Sequence, residues 1–236
     1  MPARALVVVA HPDDCEFRCG GTVAKWTSAG AAVALAVATD GSKGSHDLTV
    51  TDTELADLRK AEQLEAARLL RLERVEFLGG VDGELEVTAE LVKSLARLVR
   101  DVKPELVVTH DPWAPYQRHP DHQATGEIAW KAVLRAHEPR FYRDLAAAGC
   151  APWTTKELWF FAAEAPNHLE DVTATFEVKL AAILCHGSQY ETSMHFSRGD
   201  DAGAARFVEE LRRSAAELGA PAGFHYGEDF RTVSLV

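Results

Sequence analysis

Short runs of consecutive apolar residues recur along the chain and alternate with longer segments in which apolar residues return every three or four positions. The first run, A-L-V-V-V-A, is typical of a parallel strand that is buried on both faces. The apolar runs predict strands at 5–10, 31–38, 75–78, 105–109 and 158–162, and a late strand at 230–236.

The periodic segments predict helices. Within residues 88–102, Leu91, Leu95, Leu98 and Val102 share one face, which indicates a helix packed on a core. Pro120 fits the first turn of a helix, where its missing N–H has no cost. The predicted helices are 22–29, 52–70, 88–102, 121–136, 177–184 and 202–218.

Strands and helices alternate along most of the chain. This alternation predicts an α/β fold with a Rossmann-like, mainly parallel sheet and helices on both faces. The chain has no internal repeat, low-complexity segment or linker, so residues 1–236 are expected to form a single domain.

Composition narrows the set of partners. Of the 236 residues, 47% are apolar, and 25 Lys and Arg against 36 Asp and Glu give a net charge of −11. Such a surface repels nucleic acid and anionic membranes, and no apolar stretch reaches the roughly 20 residues of a bilayer span. Four cysteines without an export signal favour a reducing cytoplasm. The oligomeric state is left open, a homo-oligomer included.

Polar residues that could carry chemistry follow the first predicted strand. The sequence there is H-P-D-D, from His11 to Asp14. Ligands bind beyond the carboxyl ends of the strands in open parallel sheets, so this turn lies where a site is expected. His11 and Asp14 could bind a divalent metal and leave Asp13 as an acid or base. The alternative is a loop whose aspartates only cap the next helix.

A second cluster, H-P-D-H, follows the fourth predicted strand. On a first helical turn His119 and His122 share a face, so one could bind metal while the other faces a substrate. Asp121 could orient an imidazole from behind. The alternative is two surface histidines without a role. Together the clusters offer two histidines and one aspartate, the three-ligand pattern of a catalytic zinc with an open fourth position, which iron(II) or cobalt could also occupy.

These motifs resemble a known family. A-H-P-D-D-C-E-F-R-C-G-G at 10–21 and R-H-P-D-H-Q-A-T-G at 118–126 are similar to the LmbE/PIG-L family of zinc-dependent N-acetylglucosaminyl deacetylases. That family includes the mycothiol and bacillithiol deacetylases and a mycothiol-conjugate amidase. Weaker similarities occur at R-x-x-E (59–62), F-L-G-G-V-D-G (77–83), H-G-S-Q (186–189) and Y-G-E-D-F (226–230).

The resemblance implies roles for individual residues. His11, Asp14 and His122 match the zinc ligands of the family and Asp13 matches its general base. His119 matches the histidine that stabilises the oxyanion or protonates the leaving amine.

Further roles follow from the same resemblance. Asp121 matches the carboxylate that orients His119, while Arg59 and Asp82 match positions that contact the sugar. The alternatives are a surface pair between Arg59 and Glu62 and a plain turn at Asp82. Arg18 stands where the family usually has a small residue, and it is either a solvated side chain or a rim residue that pairs with an anionic group of the substrate.

Cys15 and His186 have less specific roles. Cys15 occupies the position after the aspartate pair where many family members have Glu, and the acid is shifted to Glu16. Cys15 and Cys19 could add thiolate ligands, but packed thiols are favoured. For His186, a packed histidine with one hydrogen bond is favoured.

The leading hypothesis is a metal-dependent amide hydrolase that removes an acetyl group from the 2-amino group of an N-acetylated sugar or sugar conjugate. Two alternatives are an amidase acting on a larger or non-sugar amide, and a Rossmann-type nucleotide-binding enzyme. The latter lacks a G-x-G-x-x-G turn after its first strand.

Overall fold

The computed structural model of the protein describes residues 1–116 and 119–236. Its strands are β1 (Arg4–Val9), β2 (Ala32–Thr39), β3 (Arg74–Gly80), β4 (Leu106–His110), β5 (Glu157–Phe161), β6 (His168–Asp171) and β7 (Gly227–Ser234). They form one sheet in the order β3-β2-β1-β4-β5-β7-β6. The first five strands run parallel, and β7 is antiparallel to both β5 and β6.

Seven α-helices accompany the sheet in the described part of the chain: α1 (Asp14–Ser28), α2 (Asp52–Leu69), α3 (Ala89–Val102), α4 (Pro120–His137), α5 (Arg143–Ala147), α6 (Phe176–Ile183) and α7 (Asp201–Gly219). One face of the sheet packs on α3 and α4, and the other packs on α1, α2 and α6. None of these helices combines the length and the apolar character that crossing a bilayer requires. The predicted fold class, a mainly parallel sheet between two helical layers, is confirmed.

The central strand shows why continuous apolar runs form this sheet. In β1, Leu6 and Val8 contribute to the core on the α3 and α4 side, whereas Ala5, Val7 and Val9 contribute to the core on the opposite side. All five are at most 1% exposed. A strand covered on both faces has no position for a polar side chain, which is why the run contains none.

Helix α1 begins earlier than the sequence predicts. The glycine pair at 20–21 places its start at 22, but the helix begins at Asp14 and bends at Cys19, whose φ of −142° is not helical. The glycines lie inside it because the chain approaches another segment there. A Cβ on Gly21 would lie 2.7 Å from the Cβ of Val172. The first motif therefore forms the turn that leads into α1, and its last residue, Asp14, begins the helix.

The last third of the chain differs most from the prediction. Helix α5 and strand β6 are not predicted, and β7 starts at Gly227 rather than at 230. Strand β6 is a short, half-buried edge strand that includes His168 and Glu170, so it has no continuous apolar run to reveal it. The antiparallel pairing of β7 extends an otherwise parallel sheet at one edge.

The reversal of strand order places the two polar motifs together. Strands β1 and β4 are neighbours at the point where the chain changes direction across the sheet, and a crevice opens there beyond their carboxyl ends. Gly126 lets α4 approach this crevice, since a Cβ at this position would lie 2.5 Å from the carbonyl oxygen of His110.

A buried cation secures the far end of α4. Arg100 of α3 is 1% exposed, and its guanidinium donates hydrogen bonds to main-chain carbonyls rather than to a carboxylate. These carbonyls belong to Arg135, Ala136, Glu138, Phe141 and Tyr142, at donor–acceptor distances of 3.0 to 3.3 Å. A positive charge at a helix C-terminus also complements the helix dipole.

We expect Arg100→Met to lower the free energy of unfolding by about 2–4 kcal/mol, because it leaves several buried carbonyls without donors. Urea denaturation followed by circular dichroism measures the change. Arg97→Met, on the exposed face of the same helix, is the matched control and is expected to change stability by less than about 0.5 kcal/mol. Equal stability of the two variants would contradict the role given to Arg100.

Candidate metal centre

Three side chains from the two motifs form a group whose ligand atoms all lie within 4.8 Å of one another: His11, Asp14 and His122. The Nδ1 of His11 is 3.3 Å from one carboxylate oxygen of Asp14, and the Nε2 of His122 is 3.4 Å from the other. Neighbouring ligand atoms on a tetrahedral zinc with bonds of about 2.0–2.1 Å are separated by roughly the same distance. The nitrogen and oxygen donors and their spacing therefore fit a divalent metal.

Asp14 is buried among imidazoles. Its carboxylate accepts the main-chain N–H of His11 at 2.9 Å and lies 3.4 Å from the Nε2 of His110. Burial opposes ionisation of Asp14, but His110, His11 and His122 outweigh it and hold the pKa of this carboxyl well below its usual range. Burial lowers the pKa of His110 to about 4, although the neighbouring Asp14 carboxylate opposes the shift. Asp14 is thus a carboxylate, the form that a metal requires.

The opposite edge of the His11 ring faces two further carboxylates. Its Nε2 lies 3.1 Å from Asp82 and 3.2 Å from Asp121. Burial would lower the pKa of His11, but hydrogen bonds with Asp121, Asp14 and Asp82 raise it to about 12. These residues and His119 form a second group within 4.8 Å, which shares His11 with the first.

Asp121 does not bond to the imidazole that the resemblance assigns to it. Its carboxylate is 3.2 Å from the Nε2 of His11 but 4.0 Å from the Nδ1 of His119. The Nδ1 of His119 instead accepts the main-chain N–H of Asp121 at 3.3 Å. The main-chain N–H groups of Gly83 and Leu85 donate to the Asp121 carboxylate and fix it toward His11. The spacing of His119 and Asp121 along one helical turn could not reveal this orientation.

Asp13 precedes Asp14 and has a strained backbone. Its φ of +111° lies in a region that residues with a side chain rarely adopt. The Nη2 of Arg59 donates to the carboxylate of Asp13 at 3.3 Å and to the carbonyl of Pro12 at 2.5 Å. Burial raises the pKa of Asp13 to about 6, although the charge of Arg59 opposes the shift.

Arg59 is buried rather than paired on the surface. It is 3% exposed, and its Nη1 donates to the carbonyl of Gly41 at 3.0 Å. Glu62 does not pair with it, because its carboxylate accepts the main-chain N–H and the hydroxyl of Ser188. The alternative of an exposed Arg59–Glu62 pair is therefore wrong, and α2 contributes Arg59 to the site.

A cavity of about 340 Å³ opens over the metal group and over Arg59, Asp82 and His119. Its outer wall comes from two loops that the sequence analysis did not single out as lining, and they contribute Lys43, Gly44, Gln189, Thr192 and Ser193. The Nε2 of Gln189 donates to the carbonyl of Gly44 at 3.1 Å and ties the loops together. Only the H-G-S-Q similarity pointed to this wall.

Arg18 does not line this cavity. It is exposed and borders a separate cavity that also includes Phe161, Lys179 and Asp229. The structure therefore offers no contact between Arg18 and the metal group. Arg118, the first residue of the second motif, lies outside the described residues. Cys15, the second residue of α1, is buried in the core on this side of the sheet, as expected of a packed thiol.

Comparison with known proteins gives this geometry a context. The sequence model of the family described as PIG-L, GlcNAc-PI de-N-acetylase, matches residues 6–133. The diacetylchitobiose deacetylase of Thermococcus kodakarensis is 34% identical over 98% of this chain and 83% of its own length. The 1D-myo-inositol 2-acetamido-2-deoxy-alpha-D-glucopyranoside deacetylase of Mycolicibacterium smegmatis is 30% identical over 79% of this chain and 80% of its own.

A solved structure extends the match over the whole fold. The N,N'-diacetylchitobiose deacetylase of Pyrococcus horikoshii superposes with a TM-score of 0.89 at 33% identity. The alignment covers 99% of this chain and 84% of that protein.

We expect His122→Ala to weaken zinc binding by more than about 100-fold, because changes that merely surround a metal ligand already cost 10- to 100-fold. Competition with a chelator of known affinity measures the change. His137→Ala removes an exposed histidine at the other end of α4 and is the matched control. Unchanged affinity of the His122 variant would show that the metal does not bind at this group.

Proposed function

The chain belongs to the PIG-L family, and on that premise we propose that it is a zinc-dependent hydrolase that removes the acetyl group from the 2-amino group of an N-acetylated sugar. The observation that carries the proposal is the meeting of a three-residue metal group, a buried carboxylate and an imidazole in one cavity. Related proteins named as sugar deacetylases favour this function over the conjugate amidase and the nucleotide-binding enzyme.

His11, Asp14 and His122 would hold the zinc, which leaves one coordination position open. When bound, zinc supplies a Lewis acid that polarises the amide carbonyl and lowers the pKa of a water molecule from 15.7 to about 7. Iron(II) or cobalt would suit the same nitrogen and oxygen donors.

Asp13 takes the proton of the attacking water in this proposal. Its carboxylate is buried beside the metal group, and its pKa of about 6 gives it a higher proton affinity than an exposed aspartate has. A base works best when its pKa lies near the pH of the reaction. Arg59 keeps the carboxylate oriented by its hydrogen bond at 3.3 Å.

His119 acts on the other side of the amide. Its Nδ1 accepts the N–H of Asp121, so a neutral ring carries its proton on Nε2. When charged, the ring can donate from Nε2 to the developing oxyanion and then protonate the departing amine. Its side chain is 39% exposed, so a bound substrate can reach it.

Polar groups around the cavity suit a carbohydrate. Asp82 lies 4% exposed within hydrogen-bond distance of His11, and Lys43 lies at the outer wall. Carboxylates and amines of this kind can bond to sugar hydroxyls. We also propose a cytoplasmic location, which the four free cysteines support.

We expect the zinc-loaded protein to release acetate from N-acetylglucosamine conjugates such as N,N'-diacetylchitobiose but not from N-acetyl amino acids. Asp13→Asn should keep the metal and lower kcat by about 10²- to 10⁴-fold, the usual contribution of a general base. An enzymatic acetate assay measures both. Asp57→Asn, an exposed position on α2, is the control. Near-normal turnover of the Asp13 variant would remove this residue from the mechanism.

A further inference from the structure

A group of polar side chains lies behind Asp13, and the proposed reaction does not use it. Glu16, Gln63 and His186 are each 0% exposed. Burying polar groups costs free energy unless they are hydrogen-bonded. These three residues come from different parts of the chain, so their contacts were not visible in the sequence.

Gln63 lies at the centre of this group. Its Oε1 accepts the main-chain N–H of Asp13 at 3.0 Å, and its Nε2 donates to Glu16 Oε1 at 2.8 Å. Each end of the amide thus has one partner. A helix side chain from α2 reaches across to the backbone of the motif that carries the proposed base.

The backbone of Asp13 needs such support. With φ +111° and ψ −29°, it adopts a conformation that persists only where the surrounding structure holds it. Arg59 and Gln63 lie four residues apart on α2 and therefore share a face. Arg59 bonds to the carbonyl of Pro12 and to the Asp13 carboxylate, while Gln63 bonds to the Asp13 N–H.

Glu16 fixes the orientation of the Gln63 amide. The Oε1 of Glu16 accepts a hydrogen bond from the NH₂ end of the amide, which leaves the amide oxygen free to accept the main-chain N–H of Asp13. The other oxygen of Glu16 lies 3.4 Å from the Nε2 of His186. Glu16 therefore determines which end of the Gln63 amide faces the main-chain N–H of Asp13.

We propose that Gln63 is a positioning residue that holds the strained peptide of Asp13, and with it the carboxylate, toward the attacking water. This inference rests on the proposed function, because it gives Gln63 its role through Asp13. Gln63 itself does not touch the substrate, and Glu16 is the residue that sets its direction. The competing explanation is that Gln63 only fills space in the interior.

Exchanging the carboxylate of Glu16 with the amide of Gln63 distinguishes these two explanations. In Gln63→Glu the new carboxylate faces Glu16, and the bond between them is lost. Adding Glu16→Gln restores a donor and an acceptor in the reverse order, so that the carboxylate now at position 63 still accepts the Asp13 N–H. Gln63→Met keeps the volume but has no strong acceptor.

We expect Gln63→Met and Gln63→Glu to lower kcat by about 10- to 100-fold, since a small misplacement of a reacting group has effects of this size. KM should change by less than about twofold because the ligand and sugar contacts remain. The double variant E16Q/Q63E should recover to within about threefold of wild type. Leu64→Met, which places the same new side chain at the next, exposed position, should match wild type.

The exchange rate of the Asp13 amide proton, followed by NMR, gives a readout besides activity. It should rise in Gln63→Met and return toward the wild-type rate in the double variant. If Gln63→Met fails to fold, the comparison of Gln63→Glu with the double variant E16Q/Q63E tests the proposal instead. Unchanged kcat and amide exchange in the Gln63 variants, beside an inactive Asp13→Asn, would overturn the inference and leave the proposed function standing.

A wild-type protein that hydrolyses no N-acetylated substrate would count against the proposed function instead. The amide exchange rates would then still show whether Gln63 holds the Asp13 peptide. Equal exchange rates of the Asp13 amide proton in wild type and Gln63→Met would show that Gln63 does not hold the Asp13 peptide.

Discussion

Pairing of β1 with β4 at the centre of the sheet brings together two motifs that are about a hundred residues apart in the chain. The register aligns Val8 with Thr109, so the residues that follow both strands emerge side by side. His11 and Asp14 come from one turn and His122 from the other, and none of these residues could form the metal group alone. The site depends on this backbone pairing, which apolar side chains on both faces of β1 stabilise.

Charge balance is the second condition of the site. Four aspartates are buried at the site: Asp13, Asp14 and Asp82 line the cavity, and Asp121 lies next to His11. Imidazoles and Arg59 offset part of this negative charge. Helices α1 and α4 both begin at the cavity, with Asp14 and Asp121 in their first turns, where the helix dipole favours a carboxylate. The same arrangement would favour a divalent cation, because the acidic groups outnumber their cationic partners.

The sequence predicted those parts of the site that depend on position along a strand or helix. The two motifs were expected to meet because each follows a buried strand, and the resemblance pointed to His11, Asp14 and His122 among their residues. The structure places the ligand atoms of these three residues within 4.8 Å of one another. Partners that lie on different elements could not be derived. Asp121 bonds to His11 rather than to His119, and no role was predicted for Gln63 although α2 carries the R-x-x-E similarity. Gln189 belongs to the H-G-S-Q similarity, but its bond to the carbonyl of Gly44 could not be read from it. The edge strand β6 was missed for a related reason, since an edge strand needs no apolar run. Strand β7, which pairs with β5 and β6, was predicted three residues too late.

Gly126 shows how far the demands of the site extend from its ligands. The missing side chain of this residue lets α4 lie against the end of β4, and even a methyl group would meet the His110 carbonyl at 2.5 Å. A larger residue there would push the first turn of α4, and His122 with it, away from Asp14. Tolerance to mutation in this protein therefore depends on space as well as on chemistry. Gly126 has no functional group, yet its position permits as little change as the residues of the metal group.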